Sequence, residues 1–236
     1  LPISIMNIDT LSFGRLAYRV MEETGGNQKI VLDDEGKNLI LRKIAGDYED
    51  ELTILRGNLK RQGYISEVKS VISEFAQYDI REEQIDAMME QAGVGTSLYY
   101  KLSDLKKVYQ GFYAYLEENY ITREEILDLL CKRVPKSAIL KDSVLALDGF
   151  TGFTPVQNRL LAELLRVCRD VKVTVTIPGS EDPYLYQGPY ELFALSKEMT
   201  SRLLLICREQ KIQLKDPVWM DGKVPYRFRK NEPMAF

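Results

Sequence analysis

The sequence contains no histidine. That absence removes the side chain that ordinarily exchanges a proton near neutral pH. With it go Ser-His-Asp and Cys-His nucleophilic arrangements and most catalytic zinc sites. Cysteine is scarce: Cys131, Cys168 and Cys207 stand far apart, form no CxxC, and each falls in an apolar helical stretch. They read as core thiols of a reducing compartment rather than as a redox or metal set. No apolar run approaches the ~20 residues that a membrane span needs, and no signal peptide opens the chain. Neither charge is in large excess. The net charge of −3 gives no global basic field for nucleic acid, although a local patch would not show in the sum. The phosphate-cradling pattern GxxxxGK[ST] does not occur. Together these absences argue against a self-sufficient ATPase or nuclease within the 236 residues.

What is present is ordinary for a globular chain: 45% hydrophobic and 28% charged residues. The opening LPISIMNID reads as a buried strand over residues 3–9 without an initiator Met, and the end, NEPMAF, carries no turn signal. Both ends read as cut from something larger. Apolar spacing predicts a helix from about Leu11 to Thr24, with Phe13, Leu16, Ala17, Val20 and Met21 on one face and Gly25-Gly26 ending it. Helical patterns then continue from Asp33 to about Arg133. Asp33 or Asp34 caps the helix of Leu39, Ile40 and Ile44; Ile65, Val68, Ile72 and Phe75 form a stripe; a longer helix spans about Ser97 to Asn119. Thr122 and Glu125 have capping-box spacing, and Pro135 closes the block.

The pattern changes at residue 143. SVLALD is a short apolar run of buried-strand type; GFTGFTP is a loop; Pro155 opens a helix carrying Leu160, Leu161, Leu164 and Leu165. VKVTVTI (171–177) alternates as a strand, a final helix runs from about Tyr190 to Gln210, and KIQL has strand character. Strands alternating with helices argue for an α/β chain with a parallel sheet, and the helical block looks like an insertion into it. The expected divisions are a strand–helix unit at 1–30, an inserted helical subdomain at 31–137, and the remainder of the core at 138–236.

Three segments, in order, resemble superfamily 1 helicases of the UvrD type. IDTLSFGRLAYRV is similar to their TFHSFxxRIL motif, VYQGFYAYLEENYITREEILDLL to YxxYxxxLxxxxxLDFDDLL, and LALDGFTGFTPVQNRLL to the magnesium motif LVDEFQDTNxxQxxLL. The forms TLSFGRLAYRVxxETGG and DGFTGFTPVQ narrow the resemblance to the AddB family, also called RexB, over nearly the whole chain. The resemblance implies a RecA-like helicase core with a 1B-like helical insertion, and a subunit of a heterodimeric helicase-nuclease that processes double-strand breaks and recognises Chi. An AddA-like subunit is the implied partner, with single-stranded and double-stranded DNA and no membrane, in the bacterial cytoplasm. Family chains begin with a phosphate-binding loop and end in a nuclease domain holding an iron–sulfur cluster and magnesium. Neither end lies within these residues, and no cofactor is expected here.

The candidate site residues follow. Asp148 ends the strand LALD, where a working helicase holds magnesium through water and uses the next residue, a glutamate, to polarise the attacking water. Here that residue is Gly149, so the role is absent. Asp148 is read either as a strand-end carboxylate bonding nearby backbone amides or as a remnant magnesium ligand. The resemblance places Phe13, Arg15 and Tyr18 in the single-strand channel where Chi is read. An arginine contacts phosphate or a base edge and a ring stacks on an unpaired base; Tyr18 stands where the family often has Trp. The spacing alone also makes Phe13 plain core. Phe150 and Phe153 follow the strand end and read equally as stacking platforms or as packing under the next helix. Thr151 and Thr154 suit phosphate, and Thr154 suits an N-cap as well. The acid pairs Asp33-Asp34, Glu82-Glu83 and Glu124-Glu125 read as helix-start charges. RFRK (227–230) is too short for a DNA patch, and Tyr184, Tyr186 and Tyr190 fill the loop where active helicases carry a further ATP-sensing motif. The alternative function is that of a docking scaffold for the AddA motor.

Overall fold

A computed structural model describes residues 8–26, 29–58, 61–117, 119–178 and 181–219. The chain divides into two compact units, residues 1–145 with 153–171, and residues 146–152 with 172–236. Within the described residues no helix is long and apolar enough to cross a membrane. Most of the expected opening strand, and RFRK, lie outside the described residues; Ile8 and Asp9 are not in a strand.

In the first unit, α1 (Phe13–Thr24) begins where Ser12 Oγ accepts the Arg15 amide at 3.3 Å. It ends at Gly25, whose left-handed φ of 110° lets its amide turn back to the Met21 carbonyl. Next, β1 (Ile30–Val31) pairs in parallel with β2 (Tyr120–Ile121), Ile30 opposite Tyr120. Between the two strands lie α2 (Asp34–Asp47), α3 (Gln62–Gln77), α4 (Glu82–Ala92) and α5 (Ser97–Leu116). Their core joins Ile40, Leu41 and Ile44 of α2, Ile65, Val68 and Ile72 of α3, and Val108, Phe112 and Leu116 of α5. Each such side chain contributes about 1.5–3 kcal/mol on burial. Leu39 is the exception to the predicted stripe. It is exposed, because it falls one position outside the arc that Ile40 and Ile44 define.

Two polar ties and one close helix approach that sequence reasoning did not single out hold this block. Asp104, buried on α5, accepts the amides of Thr53, Ile54 and Leu55 at 2.7–3.0 Å and so satisfies a turn that has no ladder of its own. Lys37 of α2, also buried, reaches Glu124 at 2.8 Å and Ser73 at 3.2 Å. Gly111 lets α5 approach α2 closely: a Cβ there would lie 2.8 Å from both Ile44 Cγ2 and Tyr48 Cε2.

After β2 come α6 (Arg123–Arg133), a 3-10 turn at Val134–Lys136, α7 (Ala138–Lys141), β3 (Val144–Leu147), α8 (Pro155–Val167) and β4 (Asp170–Val173). The predicted capping box of Thr122 with Glu125 is formed, and the predicted N-cap Thr154 makes a second box with Gln157. Asp33 caps α2 through the Gly36 amide. α6 packs against α1 and α8. Arg159 of α8 donates to Asp128 of α6 at 2.7 Å and to Asp79 at 2.8 Å. β3 and β4 pair: Ser143 O accepts the Arg169 amide and Leu147 O the Thr174 amide, both at 3.0 Å, which advances in parallel along both strands.

The chain is therefore mixed α/β and mostly helical, with small parallel sheets of two strands among the described residues. The alternating stretch 171–177 forms a strand only to Val173, because β3 is its one ladder partner and ends at Leu147. KIQL forms no strand. In the second unit α9 (Ala194–Glu209) starts four residues later than its pattern predicts, after Phe193 at φ 65°. Its buried Lys197 pairs with Glu181 and Glu191, each at 2.6 Å. Cys168 and Cys207 are buried and Cys131 half-buried; burial pushes all three thiols up, Cys131 and Cys168 to about 11.

Candidate nucleic-acid interface

The amphipathic pattern of α1 settles which side chains it buries and which it presents. Ala17, Val20 and Met21 are buried in the first unit, whereas Arg15, Tyr18 and Arg19 are exposed on another side of the helix. Tyr18 is 51% exposed, so its ring offers a free face. The helix is fixed at its C-terminal end by two contacts. Arg133 Nη1 donates to the Thr24 carbonyl at 2.6 Å. The Glu23 carboxylate accepts the Ser137 hydroxyl and the amides of Ala138 (2.7 Å) and Ile139 (3.0 Å), which cap α7. The Ser137 hydrogen bond above all, with those amides, holds the Glu23 carboxyl below its ordinary value, so it is a carboxylate.

At the other end of α1, Phe13 is half-buried and meets Phe153 edge-on, with ring centroids 6.3 Å apart. The structure thus joins the first predicted motif to the third within one unit. Phe153 is fixed further by its carbonyl, which accepts Asn158 Nδ2 at 3.2 Å. Thr154 is the α8 N-cap. Gln157, the glutamine of the resemblance, is spent on the Thr154 amide at 2.9 Å. Arg19 was not singled out by sequence reasoning; it pairs with Asp9. Its signal was its position four residues after Arg15, on the same helical side.

In the second unit, Asp148, Gly149 and Phe150 leave the end of β3. Phe150 is exposed at 36%. The Asp148 carboxylate accepts the hydroxyl of Thr174, the residue after β4, so its partner is a side chain rather than an amide of its own loop. Gly149 sits at φ 76° with open space where a Cβ would stand. Its backbone is one that L-residues adopt at a cost. The strand end offers one carboxylate, that of Asp148, and among the described residues no group of three or more His, Cys, Asp or Glu side chains could hold a metal.

The chain is similar to the B subunit of the ATP-dependent helicase/deoxyribonuclease of Lachnoclostridium phytofermentans, 42% identical over 234 residues. It is similar also to the same B subunit from Caldanaerobacter subterraneus subsp. tengcongensis, 34% identical over 232 residues, and from Clostridium perfringens, 28% identical over 231. Each match covers 98% of this chain and 20% of the relative, so the chain spans about a fifth of their length. Residues 3–236 match the family described as ADDB, N-terminal, and the chain belongs to that family.

Proposed function

We propose that this chain forms part of the helicase-like subunit of a helicase-nuclease acting in double-strand break repair and recombination, where it grips single-stranded DNA and helps recognise Chi. Its strands belong to a RecA-like core, with residues 31–137 as an inserted helical subdomain. Phe13, Arg15, Tyr18, Phe150 and Phe153 contact the strand. One observation carries the reading: the outer side of α1 presents Arg15 beside the exposed ring of Tyr18, on a helix pinned at both ends. A cation and a ring on one rigid face suit a phosphate and an unpaired base. ATP hydrolysis falls to an AddA-like partner, since Gly149 supplies no carboxylate to polarise water. Magnesium and an iron–sulfur cluster belong to a nuclease domain outside these residues. The complex works on double-stranded ends in the cytoplasm.

The test is the full complex carrying Arg15→Ala or Tyr18→Ala. Both variants are expected to lose response to Chi while unwinding continues; a wild-type Chi response in both removes the assignment.

A second reading, a docking scaffold for the AddA motor, is favoured by the second unit. Tyr190 is 99% exposed there, with Leu192 and, in the first turn of α9, Leu195 also exposed, and Glu191 and Lys197 pair beside them. On that reading the α1 variants weaken subunit assembly, and DNA crosslinks map elsewhere.

A further inference from the structure

We infer that Arg19 is a second phosphate contact for single-stranded DNA on α1, and that Asp9 occupies its guanidinium until the strand arrives. This rests on the reading of α1 as the helix that faces the strand. Arg15 and Arg19 stand four residues apart, so their side chains rise from one side of the helix, with Tyr18 beside them. The two arginines are not equivalent. Among the described residues Arg15 has no ion-pair partner, whereas Arg19 Nη1 donates to the carboxylate of Asp9, in the segment that leads into the helix.

That pair is an exposed one: the Arg19 side chain is 44% and that of Asp9 52% accessible. Water and salt screen such a pair, so little free energy holds it closed. A guanidinium meets phosphate oxygens with the same fork it offers a carboxylate, and phosphate is a strong acceptor. Exchange of one anion for the other therefore costs little. The acids of α1 itself are Glu22, which is exposed, and Glu23, whose carboxylate is turned to Ser137 and the α7 amides. With Asp9 and Glu22 against Arg15 and Arg19 the side is electrically balanced. Displacement of Asp9 by a strand turns it into a two-arginine clamp around the Tyr18 ring. Asp9 is thus an internal stand-in for phosphate that weakens attachment to any single strand and makes release easier.

The experiment uses the full-length subunit in its helicase/deoxyribonuclease complex, without divalent ions so that no strand is cut, and a fluorescein-labelled oligothymidylate. Anisotropy gives the association constant across a salt series. Arg19→Ala is expected to weaken binding and to lower the slope of log K against log salt by about 0.7, the value for one phosphate on a single strand. Asp9→Asn is expected to tighten low-salt binding about two- to fivefold, the range an exposed ion pair supplies. The double variant should bind like Arg19→Ala. An unchanged slope in Arg19→Ala overturns the inference, and so does tightening by Asp9→Asn that persists without Arg19. If Arg15→Ala and Tyr18→Ala also bind as wild type, α1 does not face the strand and both readings fall. If they weaken binding and Arg19→Ala does not, the role of Arg19 alone is lost.

Discussion

The ring of Phe13 meets that of Phe153 edge-on, planes 70° apart, and so ties the first turn of α1 to the loop that opens α8. The contact is energetically specific: aromatic pairs of this geometry contribute about 0.5–1.5 kcal/mol beyond the area they bury. A double-mutant cycle of Phe13→Leu and Phe153→Leu, read by urea unfolding, should return a coupling in that range. Strict additivity would mean that the two rings merely lie near one another.

Gly111 should tolerate no side chain. A Cβ would meet Ile44 and Tyr48 at 2.8 Å, inside the contact between α5 and α2. Ile44 is buried and cannot swing clear. Gly111→Ala is expected to destabilise by about 1–3 kcal/mol, the usual cost of overpacking, despite the helix propensity that alanine adds. A variant as stable as wild type in urea would show that the helices can separate freely there.

Glu23 should give the first unit an acid-sensitive component. Its carboxyl is held below the ordinary 4.5 in the folded chain by Ser137 and the α7 amides. A depressed folded pKa adds stability that is present above the ordinary value and lost as pH falls through the folded one. Melting midpoints from about pH 6 down to pH 3 should therefore fall less steeply for Glu23→Gln than for wild type. Parallel curves would remove Glu23 from the account.

Gly149→Glu should not restore ATP turnover. The added carboxylate has room, but the φ of 76° at this residue is one that glutamate adopts at a cost of about 1–2 kcal/mol. Asp148 is also engaged with Thr174. The full-length variant without its partner subunit is expected to hydrolyse no ATP in a steady-state assay; measurable turnover would show the motif to be one substitution from function.

Local grammar was legible in the sequence. The capping box at Thr122, the caps at Thr154 and Asp33 and the Gly25 stop need only neighbours within one helical turn, so spacing alone reveals them. The stripe of Ile65, Val68, Ile72 and Phe75 was legible for the same reason, since one helix face supplies its own periodicity. What was not legible depends on distant partners. Asp104 looks like any surface acid until the turn at Thr53–Leu55 folds over it. VKVTVTI has strand character throughout, yet the ladder stops where β3 stops. At the candidate site, motif residues identified Phe13 and Phe153, but not that they touch. Arg19 lay in plain view without meaning until Asp9 was found across from it.

Ile30 donates to the Asn119 carbonyl and Leu32 to that of Ile121, each at 2.9 Å, so the chain enters and leaves the helical block through neighbouring strands. Neighbouring strands stand only about 4.8 Å apart. The chain path from α2 to α5 therefore closes at one narrow neck, and side-chain ties such as Lys37 to Glu124 and Asp79 to Arg159 add to it. A longer or shorter cassette would leave the polypeptide on either side on the same path, whereas a tight turn could not replace it, because parallel strands need a crossover of a dozen residues or more.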